Sequence, residues 1–260
     1  MKIFGGGKLV FKQRKWISNE ILNWESYSDS SVVLEKEKGE RAYEIWEHAK
    51  SQIENNESEF HLADGITNLK RALNHRLKLI EEIYGFKFIK INNKPKGYME
   101  ILEVFGVVRP FLMKRLLTIR NGIEHNDEKP PSYERCLELL DVVWYFLKST
   151  DSMVQFAVKD LAFELDEEGD KPYYFGLRYV QQERDIFIIN GKIPEKLIYD
   201  EPTPNSIEVV LSEIEGVKDI GLSMAYEEKV LELSRGSIHG EIILSDFEKI
   251  RIINKFAFSY

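Results

Sequence analysis

The 260 residues are 43% hydrophobic and 12% aromatic, which excludes a mainly disordered chain and leaves room for one large domain or two ordinary ones. The net charge of -8 looks unfavourable for nucleic acid, but the excess acidity lies in residues 151–260 while residues 1–150 are close to neutral. Charge therefore does not exclude a phosphate-bearing substrate.

The single cysteine, Cys136, has no partner for an internal disulfide. Met1 to Trp24 alternates apolar with charged residues, where a signal peptide requires an unbroken apolar core. A cytoplasmic protein without a membrane segment is expected.

In chain order, residues 1–33 read as an N-terminal extension. Lys2-Ile3-Phe4 and Lys8-Leu9-Val10-Phe11 flank Gly5-Gly6-Gly7 and suggest a β-hairpin. Those glycines and Lys8 lack the glycine-lysine-serine/threonine ending of a phosphate loop. Residues 34–166 turn helical. Glu35 to Glu54 places Ala42, Ile45, Trp46, Ala49 and Ile53 on one stripe, and Phe60 to Phe86 does the same with Leu62, Ile66, Leu69, Leu73, Leu77 and Ile80. Shorter helices are expected over Tyr98–Phe105 and from Pro110 to about Asn121. Ser132 then serves as the N-cap of another. Short connections between four or five helices predict an antiparallel bundle.

Past the acidic Asp166–Asp170 turn, residues 170–260 change period. Pro172–Val180 and Asp185–Ile189 read as strands, with Asn190-Gly191 as a hairpin signal. Further strands are expected over Ile207–Leu211, Ile220–Ala225, Lys229–Leu233, Glu241–Leu244 and Lys249–Phe258. The expected class is α+β: a helical bundle followed by a smaller, acidic β-rich C-terminal domain.

The chemistry concentrates in Arg120-Asn121-Gly122-Ile123-Glu124-His125. An always-charged guanidinium can hold a phosphate, and an imidazole titrating near neutrality can move a proton. Pro130-Pro131 then prevents the helix from continuing. Arg120 and His125 are five residues apart, so a persisting helix separates them by about 140°. Asn121 and His125, four apart, share a face. Glu124, four residues beyond Arg120, is also placed to pair with it, and that pairing needs no substrate.

With its asparagine second, the long helix Phe60–Phe86 before it and the proline break after it, this motif resembles that of the HEPN superfamily. These are small helical bundles typified by prokaryotic toxin and defence ribonucleases. The resemblance covers roughly residues 35–165. It implies a metal-independent, cofactor-free RNA endonuclease acting as a homodimer in a toxin-antitoxin or anti-phage setting, with an antitoxin or regulatory protein as a further partner. Arg120, Asn121 and His125 would be its catalytic residues. A non-catalytic dimerising or RNA-binding module of the same family is the alternative.

Arg71, His75 and Lys78 form a basic stripe on the second long helix, a candidate for RNA contact and otherwise a solvated face. His48 and His61 have no ligand partner at zinc-site spacing. Ser237-Ile238-His239 has no glycine-serine elbow. Cys136 reads as a buried small residue.

Overall fold

The computed structural model describes residues 11–33, 35–109, 111–126, 128–165, 173–180, 185–212 and 236–258. The expected Gly5–Gly7 hairpin, the Asp166–Asp170 turn and the strands over 220–225 and 229–233 lie outside these residues. The chain divides into two compact units.

One unit draws on residues up to Ser30 and on Lys159–Glu248. It holds an eight-stranded sheet of order β2-β3-β4-β5-β8-β7-β1-β6. The strands are β1 (Phe11–Ser18), β2 (Glu25–Val33), β3 (Phe156–Leu165), β4 (Tyr173–Val180), β5 (Ile186–Lys192), β6 (Ile198–Tyr199), β7 (Ser206–Ser212) and β8 (Ser237–Ile243). β1 stands seventh and β2 first, six steps apart in that order. A flat sheet would separate them by roughly 29 Å.

The link from Ser18 to Glu25, mostly a 3-10 turn over Asn19–Asn23, spans only about 17 Å. The sheet must therefore curl strongly. One face gathers alternate residues, among them Phe163, Phe175, Phe187 and Val209, all buried. Phe163 stacks on Phe175 at 4.6 Å, and Trp24, just after the turn, lies 5.6 Å from the same ring.

The other unit takes Ser31–Val158 and the chain from Lys249 onward. Its helices are α1 (Lys36–Glu54), α2 (Glu59–Tyr84), α3 (Tyr98–Val104), α4 (Phe111–Asn126), α5 (Tyr133–Ser149), α6 (Asp151–Gln155) and α7 (Asp246–Phe258). α1 and α2 bury Ile53, Ile66, Leu69 and Leu73 completely. Trp46 Nε1 donates to Leu140 O at 2.9 Å, linking α1 to α5. Ser132 caps α5 by accepting from Arg135 N.

This architecture overturns the expected bundle followed by a small β domain. The sheet is large, and β1 and β2 come from residues read as an extension outside both domains. Lys249–Phe258, expected as a strand, lies in α7, whose Ile252, Ile253, Phe256 and Ala257 bury one helical face. Asn254 Nδ2 donates to Phe105 O at 2.9 Å, fastening α7 to the end of α3.

Asn190-Gly191, expected as a turn, is paired inside β5 opposite Gly176 and Phe175. A Cβ at Gly191 would stand 2.4 Å from Phe175 Cα, so glycine is needed there for close strand approach.

Candidate active site on the fourth helix

α4 is amphipathic, with Met113 and Leu116 buried against the bundle. It packs on α2, and Asn74 and Lys78 of α2 share a cavity with Leu117 and Lys114 of α4. Lys70, earlier on α2 than these, feels the charge of Arg120, later on α4, so the two helices run antiparallel. Lys129 beyond α4 reaches Glu59 at the start of α2 at 3.9 Å, which agrees.

The helix continues through the whole motif to Asn126 instead of ending near Asn121. Gly122 does not loosen it. Its carbonyl accepts from Glu128 N at 3.2 Å, where the chain turns back, and Asn126 Nδ2 donates to Glu128 Oε1 at 3.1 Å.

Arg120 is the most enclosed of the three motif side chains, 18% exposed. Its guanidinium is ion-paired with Glu124 and donates to Asn121 Oδ1 at 3.1 Å. Its Nε is buried without a hydrogen-bond partner. Asn121 and His125 are exposed. Within one chain the unbroken helix sends Arg120 and His125 about 140° apart, whereas Asn121 and His125 stand one turn apart on one face. The structure thus brings Arg120 to Asn121 but leaves His125 on its own side of the helix.

The stripe on α2 divides. Arg71 is exposed and donates to Asn68 Oδ1 at 2.8 Å. His75 is half-buried, with its Nδ1 unpartnered. Burial, and then the charge of Arg41 on α1, hold it below the usual histidine range. Lys78 is exposed, reaches Glu82 at 3.8 Å and alone of the three lines the cavity shared with α4.

Two features of α2 escaped the sequence reading. Lys70 is held below the usual lysine range by burial and then by the neighbouring charge of Arg120, so it belongs beside the motif. Its repetition at four-residue spacing, Lys70-Asn74-Lys78, was the available signal.

The second feature is Arg76, fully buried. It donates twice to Asp151 Oδ1 at 3.0 Å, to Leu147 O at 2.9 Å and to Thr150 Oγ1 at 3.1 Å. Tyr43 OH donates to the other Asp151 oxygen at 2.8 Å. This network binds α2 to the α5–α6 junction and is architectural.

Cys136 is buried, and its thiol is pushed up to about 11 by that burial, which makes it a poor nucleophile. His61 Nδ1 accepts from Glu57 N at 3.1 Å. His239 lies in β8 opposite Asn190, held below the usual range by burial. Among the described residues no three His, Cys, Asp or Glu side chains gather as metal ligands, and no helix is long and apolar enough to cross a membrane.

No family model matches this chain, and neither a curated protein nor a solved structure matches it.

Proposed function

We propose that the chain is a metal-independent RNA endonuclease whose active cleft is shared by two copies, with Arg120, Asn121 and His125 as its working residues. The observation that carries this reading is the continuity of α4 through Arg120–His125. A histidine and an arginine about 140° apart on one helix cannot easily grip the same phosphate. Two such helices related by a two-fold axis can offer the arginine of one chain and the histidine of the other.

RNA carries its own nucleophile, the ribose 2'-hydroxyl. His125 takes that proton or gives one to the departing 5'-oxygen, Arg120 holds the non-bridging oxygens as charge grows on them, and Asn121 orients the phosphate or the imidazole. The products are a 2',3'-cyclic phosphate and a 5'-hydroxyl. The biological setting that goes with this chemistry is a toxin or anti-phage system with an antitoxin or regulatory partner.

A non-catalytic RNA-binding or dimerising role is the second reading, favoured by the occupation of Arg120 by Glu124 and Asn121.

Subunit exchange tests the shared cleft. Chains carrying Arg120→Ala and chains carrying His125→Ala are each expected to be inactive. Mixed, they should regain part of the RNA cleavage in heterodimers holding one intact arginine and one intact histidine. A protein that cuts RNA as a strict monomer would rule the shared cleft out.

A further inference from the structure

Between α2, α3 and α4 lies a cavity of about 440 Å³, within the size range of small-molecule sites. Leu77, Met99, Leu117 and Tyr98 give it an apolar wall, and Lys78, Lys87 and Lys114 bring three ammonium groups to it. Lys87 Nζ lies 4.7 Å from the Tyr98 ring centre. Glu81 and Glu100 also line it, and Glu100 pairs with Lys114 at 2.5 Å.

Three lysines meet two lining carboxylates, with Glu82 also reaching Lys78 from outside the cavity, a balance that suits a single phosphodiester better than a polyphosphate, which the carboxylates would repel. Asn74 adds a carboxamide that both donates and accepts, suited to the edge of a base.

The cavity lies about one helical turn from the motif along both helices. On α4, Leu117 lies one turn before Asn121 and two before His125, on one face, which is ~6 and ~12 Å along the axis. On α2, Asn74 lies one turn beyond Lys70, whose environment includes Arg120. A strand held at Asn121 and His125 thus reaches the cavity within about one or two nucleotides.

We propose that this cavity is a nucleotide subsite that takes a unit of the RNA strand flanking the scissile phosphate. The base lies against Leu117, Leu77 and Tyr98, and its phosphate faces Lys78 and Lys114. The inference rests on the reading of α4 as the cleaving helix and adds to it a place where strand position and base preference are set.

The test uses an oligoribonucleotide with 2'-O-methyl riboses, which binds without self-attack. Its affinity is measured for the full chain and for Lys78→Ala, Leu117→Trp and Lys38→Ala. Lys38, exposed on α1 and paired with Glu35, controls for general charge. Lys78→Ala and Leu117→Trp should each weaken binding at least about fivefold, the scale of one base contact. Lys38→Ala should not.

Lys78 is 79% exposed, so its variant remains informative even where Leu117→Trp misfolds. With cleavable RNA, Lys78→Ala should raise KM and leave kcat unchanged. If the parent chain cleaves but both cavity variants bind like Lys38→Ala, the subsite is wrong and the cleavage reading stands. If cavity variants lose binding while the parent chain cuts nothing, the cavity stands as an RNA-binding site and the cleavage reading falls, taking with it the placement beside a scissile phosphate. A parent chain that does not bind the oligonucleotide overturns the subsite.

Discussion

Arg120 and Glu124 stand one turn apart on α4 and are ion-paired, and Asn121 Oδ1 accepts a further bond from the same guanidinium at 3.1 Å. In the free chain, Glu124 and Asn121 therefore occupy donors that a phosphate would need. A substrate must displace a carboxylate to reach Arg120. Glu124→Gln removes that competing charge and is expected to raise RNA affinity and kcat/KM several-fold. An i,i+4 ion pair on a helix at the protein surface contributes about 1 kcal/mol or less, so the melting temperature should change little. Paired binding and melting measurements check this, and weaker binding by Glu124→Gln would show that the carboxylate works for the site.

Arg76 presents the opposite case. It is fully buried, and its charge is met by Asp151. Removing one partner of a buried pair strands the other, at a cost of roughly 3–5 kcal/mol. Asp151→Ala should therefore lower unfolding free energy by about 3 kcal/mol in urea titration, whereas Glu44→Ala, which breaks the exposed Arg41–Glu44 pair, should change it by less than about 1 kcal/mol. Equal effects would show that the buried network holds α2 to the α5–α6 junction no more strongly than a surface pair would.

His75 makes the helical unit sensitive to acid. Burial first, and then the charges of Arg41, Lys78 and Arg76, lower its pKa in the folded state, with Glu82 opposing. Between the lowered folded value and the ordinary value near 6.5, the unfolded chain binds the extra proton. Stability is thus fully present above about pH 6.5 and declines as pH falls below it. His75→Gln should narrow the melting difference between pH 7.5 and pH 5.5. His239 is lowered as well, so the difference should shrink without vanishing. An unchanged difference would contradict the assignment.

The helical elements were legible because their apolar spacing is regular. α1, α2 and α5 keep stripes at three and four residues that exclude strand. The sheet was less legible, because its first strands are separated from the rest by the whole bundle and pair with residues more than 120 positions away. Local pattern carries no information about such partners. Asn190-Gly191 misled for a related reason: the dipeptide fits a turn, but here glycine lets β5 approach β4.

α7 reads as a strand by composition, although the sequence carries the start signal of a helix. Ser245-Asp246-Phe247-Glu248 is a capping box, in which Glu248 N donates to Ser245 Oγ and Ser245 N donates to Glu248 Oε2 at 2.7 Å. The β-branched and aromatic residues that follow it also fit a strand. Of the candidate site, the motif and the Arg120–Glu124 pairing could be read directly. The cavity could not, because it depends on how α3 and α4 lie against α2.

The capping box gives a prediction of its own. Ser245→Ala should cost about 1 kcal/mol and loosen α7, visible as faster amide exchange over Ile252–Phe256. Undisturbed exchange would show that packing alone holds the helix.

The most direct measurement is RNA cleavage by the purified full chain in excess EDTA, with the product ends identified by mass spectrometry. Cutting should persist without divalent metal, leave 2',3'-cyclic phosphate and 5'-hydroxyl ends, spare DNA, and disappear in both Arg120→Ala and His125→Ala while their melting stays near that of the parent. Cleavage that requires magnesium, yields 5'-phosphate ends, or survives in His125→Ala would contradict it.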